Sequence, residues 1–433
     1  MNRCARIVCS LVSVLGVCSG PSCNAVANEG GVAAAAQNAS HTHQQSLVIE
    51  VADVKNDQKL EDFCTDAKGR ILALVAPSGS AATNGLLGDV LPTKKVPTGA
   101  CEIRVFDAAG KLVDKWPVGF HGQAINVAPN GTILVGGDGY LARFDNEGKK
   151  LHQAESPQMI YIRDNPAEMR ERAEEQLESD RAVYGELVKQ LEEQLAEFAE
   201  QQNNREPKAQ AADEPEPAES ASLNPKVLLP AYKRYVEQLN KQKPEDVLDK
   251  VISRAKWTHS IAASDDEVFV TCPAMAGYGY GVWRTNSQFG AAKEIIKSLA
   301  GCCGQMDVQC CQGELYVCEN SRHRVVRYDR EGKELGAFGK RDREGAGENF
   351  GGCCNPMNLC FNKQGDLYVS ESNGVVKHFT SMGEYKGIVG VAKVQPGCKN
   401  SCVAVTADDS RLFYIDIEKS QIIVLARSGT AGQ

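Results

Sequence analysis

The chain has 433 residues, a formal net charge of −8, 17 cysteines, 40 glycines and 6% aromatics. Apolar residues make up 42% and charged residues 24%, which excludes wholesale disorder, collagen and a coiled-coil rod. No run of 18 apolar residues occurs beyond the N-terminus, which excludes a polytopic helical membrane protein, and the mild acidity argues against a nucleic-acid binder.

Residues 1–27 read as a secretory signal. Arg3 and Arg6 give a positive start, Ile7–Val17 an apolar stretch too short to span a bilayer, and Ala25-Val26-Ala27 a small-residue cleavage site. Export implies an oxidising compartment (periplasmic, cell-surface or secreted) where disulfides persist. Residues 28–46 are small and polar, include His41-Thr42-His43, and are expected to form a flexible leader.

From residue 47 one phrase recurs: a turn with Gly or Asp, then a short β-rich run. It appears as Gly69-Arg70-Ile71-Leu72-Ala73, Gly131-Thr132-Ile133-Leu134-Val135 and Asp266-Glu267-Val268-Phe269-Val270. It returns as Gly313-Glu314-Leu315-Tyr316-Val317, Gly365-Asp366-Leu367-Tyr368-Val369 and Ser410-Arg411-Leu412-Phe413-Tyr414, six copies in all. Most copies are followed by a strand pair joined by Asp-x-x-Gly, as in Asp107–Gly110, Asp145–Gly148 and Asp329–Gly332. Glycine takes positive φ there without a Cβ clash. Each unit offers four short antiparallel strands. One such sheet cannot bury its faces alone, but six packed around an axis can. The expected fold class is therefore all-β, a six-bladed β-propeller with blades 1–2 in 47–160 and blades 3–6 in 255–433.

The stretch from Gly313 through Leu315-Tyr316-Val317, Glu319 and Arg324-Val325 resembles the Gly-x-Leu-Tyr-Val-x-Asp-x-x-Asn-x-Arg-Ile pattern of NHL repeats, with Glu319 at the usual Asp position. Gly365–Phe379 is similar, with Asn373-Gly374 where a longer turn is typical. The chain thus looks like an NHL-repeat six-bladed propeller, and within that family like exported, cysteine-rich bacterial members. The resemblance covers most of the chain outside one insertion. It implies binding on an annular face without implying one chemistry.

The β pattern stops over 161–254. Asn165-Pro166 is an N-cap with Pro at the first helical position, and a helix is expected to about Gln202. Leu177, Tyr184, Leu187, Leu191, Leu195 and Phe198 form its apolar stripe. Residues 203–226 are rich in Glu, Pro, Ala and Ser and read as a disordered linker. A second helical stretch carries Leu228, Leu229, Tyr232, Tyr235, Val236 and Leu239, breaks at Pro244, and resumes with Val247, Leu248, Val251 and Ile252. The expected object is an α-helical hairpin or coiled coil inserted between blades 2 and 3. Residues 166–220 hold 16 Asp and Glu against 6 Lys and Arg, a net of −10, which leaves +2 for the rest. The two stripes either satisfy each other or offer 166–252 as a coiled-coil contact for a partner.

Ten of the cysteines lie between 302 and 402. Gly301-Cys302-Cys303-Gly304-Gln305-Met306-Asp307 opens blade 4, Gly352-Cys353-Cys354-Asn355-Pro356-Met357-Asn358 opens blade 5, and Gly397-Cys398-Lys399-Asn400-Ser401-Cys402 opens blade 6. In blade 2, Gly119-Phe120-His121 puts a histidine near the second cysteine position. Equivalent places in a propeller ring one rim, so Cys302, Cys303, Cys353, Cys354 and Cys398 are expected to be neighbours. Three chemistries remain open. Disulfide staples fit the exported setting. A copper or zinc site would use Cys303 with Met306, Cys354 with Met357, and His121. Buried reduced thiols would pack as small hydrophobes, as at Cys64, Cys310 and Cys360. Asn126, Asp307 and Asn358 start inner strands and are candidates to line the channel.

The expected function is binding or scaffolding of a protein partner or small ligand, with a cysteine-rich rim on blades 4–6. The sequence shows no Gly-x-Ser-x-Gly elbow, phosphate loop, Cys-x-x-Cys-His or His-Glu-x-x-His. The alternatives are a metal-dependent lyase or hydrolase acting in the channel and a soft-metal protein of the envelope.

Overall fold

The computed structural model describes residues 41–52, 58–77, 101–203, 225–275, 279–301 and 305–428. The signal at 1–27, most of the leader, residues 204–224 of the expected 203–226 linker, and Cys302 and Cys303 lie outside the described residues, while Asn203 ends one helix and Pro225 and Lys226 begin the next. The chain divides into two compact units. One holds the chain up to Arg163 and from Arg254 onward; the other holds Asp164–Ser253.

The first unit is all-β in class and propeller-like: six antiparallel sheets of four strands each. Sheet one is β2 (Gln58–Thr65), β3 (Ile71–Pro77), β4 (Glu102–Phe106) and β5 (Leu112–Pro117). Sheet two is β6 (Ala124–Val127), β7 (Ile133–Gly137), β8 (Tyr140–Phe144) and β9 (Lys150–Glu155). Sheet three is β10 (Ser260–Ala263), β11 (Glu267–Pro273), β12 (Tyr280–Asn286) and β13 (Lys293–Leu299). Sheet four is β14 (Val308–Cys311), β15 (Glu314–Glu319), β16 (Arg324–Tyr328) and β17 (Glu334–Phe338). Sheet five is β18 (Asn358–Phe361), β19 (Leu367–Ser370), β20 (Val375–Phe379) and β21 (Tyr385–Val391). Sheet six is β22 (Val403–Val405), β23 (Arg411–Asp416), β24 (Gln421–Arg427) and, from the other end of the chain, β1 (His43–Glu50).

The recurring β-rich phrase is the second strand of each sheet. These strands are buried on both faces, so they read as unbroken apolar runs such as Ile71-Leu72-Ala73-Leu74-Val75-Ala76. The fourth strands β5, β9 and β17 are mostly exposed and carry no such signal. Six apolar clusters fill the spaces between neighbouring sheets; one joins Phe63 and Ile71 of sheet one to Phe413 and Val424 of sheet six. The Asp-x-x-Gly turns close as expected. Asp107 Oδ1 accepts the amides of Ala109 and Lys111, and Asp145 and Asp329 repeat the pattern. Gly148, at φ +85°, also lies under Trp116, where a Cβ would come within 2.2 Å of the ring.

Two expectations need correction. Residues 43–46 are not leader: they begin β1, which pairs antiparallel with β24 from His43↔Arg427 to Glu50↔Gln421. His43 is buried, with Nε2 at 3.0 Å from the Asp409 carbonyl. The β pattern also gives way earlier than 161, at a short helix α1 (Pro157–Asp164) whose Gln158 Nε2 donates to the Ala255 carbonyl.

In the second unit α2 (Pro166–Asn203) begins at the expected proline, and α3 (Pro225–Lys241) packs against it. Tyr184 sits edge-on to Tyr235 with centroids 4.8 Å apart, and Lys233 pairs with Glu192 at 2.6 Å. Arg181 caps the end of α3 by donating to the Leu239 and Gln242 carbonyls. Leu177, Tyr184 and Leu191 are buried, as are Tyr235 and Leu239. A further helix, α4 (Pro244–Ala255), follows.

The docking of β1 makes a stability prediction. Ile49→Ala opens the cluster between sheets six and one and is expected to cost about 2–4 kcal/mol in urea unfolding. Val48→Ala, on the outward side of the same strand, should stay within about 0.5 kcal/mol. Equal effects would contradict the pairing.

Candidate ligand cavity and thiol cluster

The first strands of successive sheets are neighbours: β2 lies against β6, β6 against β10, β10 against β14, β14 against β18, β18 against β22, and β22 against β2. Residues of all six line a cavity of about 240 Å³. Between adjacent first strands the ladder supplies no hydrogen bonds, so side chains do so. Asp62 Oδ2 accepts the Ile125 amide at 3.0 Å. Asn126 Nδ2 donates to the Ile261 carbonyl at 2.8 Å and to Gln309 Oε1 at 2.9 Å. Ser260 Oγ donates to Asp307 Oδ1 at 2.6 Å, and Asp307 Oδ2 accepts the Leu359 amide at 2.8 Å. Asn358 Oδ1 accepts the Ser401 amide at 3.2 Å, and Asn400 Nδ2 donates to the Glu61 carbonyl at 3.3 Å, back on β2.

Asn126, Asp307 and Asn358 are thus brought to one cavity, as expected from their places in the repeat. Asp62, Ser260 and Gln309 are additions. Asp62 follows a register shift between Leu60 and Asp62 that turns it toward β6. Burial pushes the Asp62 carboxyl up to about 7, offset in part by the Ile125 amide and the Cys402 thiol. Burial pushes Asp307 up to about 6 against the bonds from Ser260 and Leu359. The charge on Asp307 further opposes ionisation of Asp62.

The cysteines fall into two populations. Those on or beside the strands are packed in and held as thiols: burial raises Cys64, Cys360 and Cys402 well above the ordinary range, Cys310 to about 11 and Cys101 to about 12. The second population is Cys353, Cys354 and Cys398. Their sulfurs all lie within 4.8 Å of one another, with Cys354 and Cys398 at 3.1 Å. Among the described residues no disulfide is formed.

Two loops make this cluster, and both are anchored. Asn355 Nδ2 donates to the Gly351 carbonyl at 2.9 Å, its Oδ1 accepts the Ser372 amide at 2.8 Å, and its carbonyl lies 3.1 Å from His323 Nδ1. The Gly351 amide reaches Glu371, whose carboxylate is paired with fully buried Lys377 at 2.6 Å. On the other loop Ser401 is fixed by Asn358 and by Ser370 Oγ, which donates to its carbonyl at 2.6 Å.

Other members of the expected metal set lie elsewhere. Cys402 is not in the cluster; its thiol donates to the Phe63 carbonyl at 3.2 Å and faces Asp62. His121 is buried beside the Cys101–Gly122 contact, and the sulfur cluster includes no histidine. Met306 packs among Tyr280, Val282 and Leu299, and Met357 Sδ is fully buried with Asn320 Nδ2 at 3.8 Å. Packing claims the Met306 thioether, while the buried Met357 sulfur accepts from an amide. No model of a known protein family matches this chain, and no curated protein matches it either.

The two carboxylates set a pH dependence. With folded pKa values near 7 and 6 against about 3.9 unfolded, the native state holds more protons, so stability falls as pH rises from about 4 to about 7. Solvent reaches half-buried Asp62 through the cavity, so the loss is roughly 1–3 kcal/mol and not the full value of the shift. Urea midpoints at pH 5 and pH 8 check this. Asp62→Asn should flatten the profile and raise the midpoint at pH 8; an unchanged profile would contradict the assignment.

Proposed function

We propose that the chain is an exported six-bladed β-propeller of the NHL type that works by binding a small polar ligand in its central cavity. The observation that carries this reading is the cavity itself. All six first strands contribute to it, and it is lined by Asp62, Asn126, Asp307, Gln309 and Asn358. Its volume suits a small molecule or several waters. The carboxylates and amide oxygens present acceptors, so a ligand rich in hydroxyl or amino donors fits best. The repeat pattern around Gly313–Val325 and the signal-like residues 1–27 support the family and the export.

A second reading has one observation in its favour. Asp62 and Asp307 titrate near 7 and 6, the range in which a carboxyl can serve as general acid or base, as a channel lyase or hydrolase would require.

The test is a panel of polyols, sugars, amines and amino acids followed by thermal shift and calorimetry. A ligand at 100 times its Kd should stabilise the protein by about 2.7 kcal/mol. Asn126→Leu, which puts an apolar group into the cavity, should abolish the shift. Equal binding by wild type and Asn126→Leu would contradict the cavity reading. Turnover of a bound ligand that is lost in Asp62→Asn while binding persists would decide for the enzyme.

A further inference from the structure

We infer that Arg143 is a binding site for a carboxylate group supplied from outside the chain. None of the residues that build it lines the central cavity, so it stands apart from the cavity reading.

The repeat shows what sheet two lacks. In four sheets a basic residue of the third strand lies across from an apolar or aromatic residue of the second: Arg143 from Leu134, Arg284 from Phe269, Arg327 from Tyr316 and His378 from Tyr368. Two positions before each of those partners stand Thr132, Glu267, Glu314 and Asp366. Sheets three, four and five therefore set a base beside an acid, at 3.4 Å for Arg284–Glu267, 2.7 Å for Arg327–Glu314 and 3.5 Å for His378–Asp366. In sheet two the acid is replaced by Thr132, whose hydroxyl donates to Asn130 Oδ1 at 2.8 Å. Arg143 Nε is buried without a hydrogen-bond partner, and its terminal nitrogens have none among the described residues. Burial lowers Arg143 with no carboxylate to offset it, whereas Arg327 is raised, its burial outweighed by Glu314.

A second departure from the repeat falls at the same seam. In sheets one, two, four and five the fourth position of the turn after the third strand is a glycine at positive φ: Gly110, Gly148, Gly332 and Gly383. Sheet three puts Phe289 there, at φ +61°, a costly conformation for a bulky side chain. Phe289 is buried among apolar residues of sheets two and three, and its ring backs the Arg143 guanidinium, with Cζ 5.4 Å from the centroid. The same ring stacks on His152, centroids 5.5 Å apart, and His152 is the residue across from Arg143 on β9. His152 Nε2 lies 3.2 Å from the Gln288 carbonyl, which ties it to the same turn. A strained turn thus places the ring, and the ring holds the guanidinium.

The arrangement selects the ligand. A guanidinium stays charged and presents a planar fork that matches a carboxylate. Sheets three and four fill the equivalent place with their own glutamates, so the group that fits sheet two is a carboxylate, from a free acid or from an acidic side chain of a polypeptide. No second cation acts on Arg143, which disfavours a phosphate dianion.

The test uses the full chain with isotope-labelled arginine side chains, read by NMR at constant ionic strength set with sodium chloride. The Arg143 Nε–Hε signal is assigned by its loss in Arg143→Gln. Sodium acetate should move that signal saturably and leave the Arg327 signal in place. Thr132→Glu restores the acid of the repeat. An acid held in the chain competes at high effective concentration, so this variant should weaken acetate binding by about tenfold or more. Circular dichroism checks that each variant folds. An acidic peptide that binds more tightly than acetate makes the source a polypeptide, and a small dicarboxylate that does so makes it a free acid; either supports the site. Three results would overturn it: no saturable shift with acetate, acetate binding unchanged in Thr132→Glu, or inorganic phosphate bound more tightly than acetate.

Discussion

The first strands of the six sheets share no ladder hydrogen bonds, yet they must lie side by side for the apolar clusters between the sheets to close. Polar side chains resolve this conflict. Asp62, Asn126, Ser260, Asp307, Asn358 and Asn400 each reach across one seam, and the last returns to the strand that carries the first. Each bond satisfies a group that would otherwise be buried without a partner, at a cost of about 1–3 kcal/mol if it is lost. The apolar clusters supply most of the driving force, and the seam bonds fix which strand meets which.

The candidate sites inherit their geometry from these seams. Asp62, Asn126, Ser260, Asp307 and Asn358 line the cavity, so most of the groups that hold the sheets together are also those a ligand would meet. This leaves two carboxylates whose burial raises their proton affinity, with Asp307 adding to the rise at Asp62, a cost the fold carries at neutral pH. The seam between sheets five and six does a second thing. Asn358 fixes Ser401, three residues from Cys398, while Asn355 and Glu371 fix the loop of Cys353 and Cys354. The sulfurs meet because the loops entering adjacent sheets are anchored to the same strand ends.

Local chemistry was legible in the sequence and remote pairing was not. The second strands announce themselves because both faces are buried, and Asp107, Asp145 and Asp329 announce their turns because the aspartate and glycine are spaced for them. The cysteine spacing placed Cys353, Cys354 and Cys398 together because equivalent positions of adjacent repeats are neighbours. β1 escaped because its partner lies at the far end of the chain and its outward face is largely exposed, which leaves Ile49 as its one buried apolar residue beside buried His43. Asp62 escaped because a register shift breaks the alternation that would have pointed it inward. Met306 had the spacing of a ligand, but apolar burial claims a thioether as readily as a metal does.

Native-state hydrogen exchange tests the seam account most directly. The amides of Ile125, Leu359 and Ser401 are each bonded to a side chain from the preceding sheet. All three should exchange only through global unfolding, with the same opening free energy as the central strand amides of β3 and β15. Exchange at any one of them through a local opening several kcal/mol below the global value would contradict the claim that these bonds hold the sheets in register.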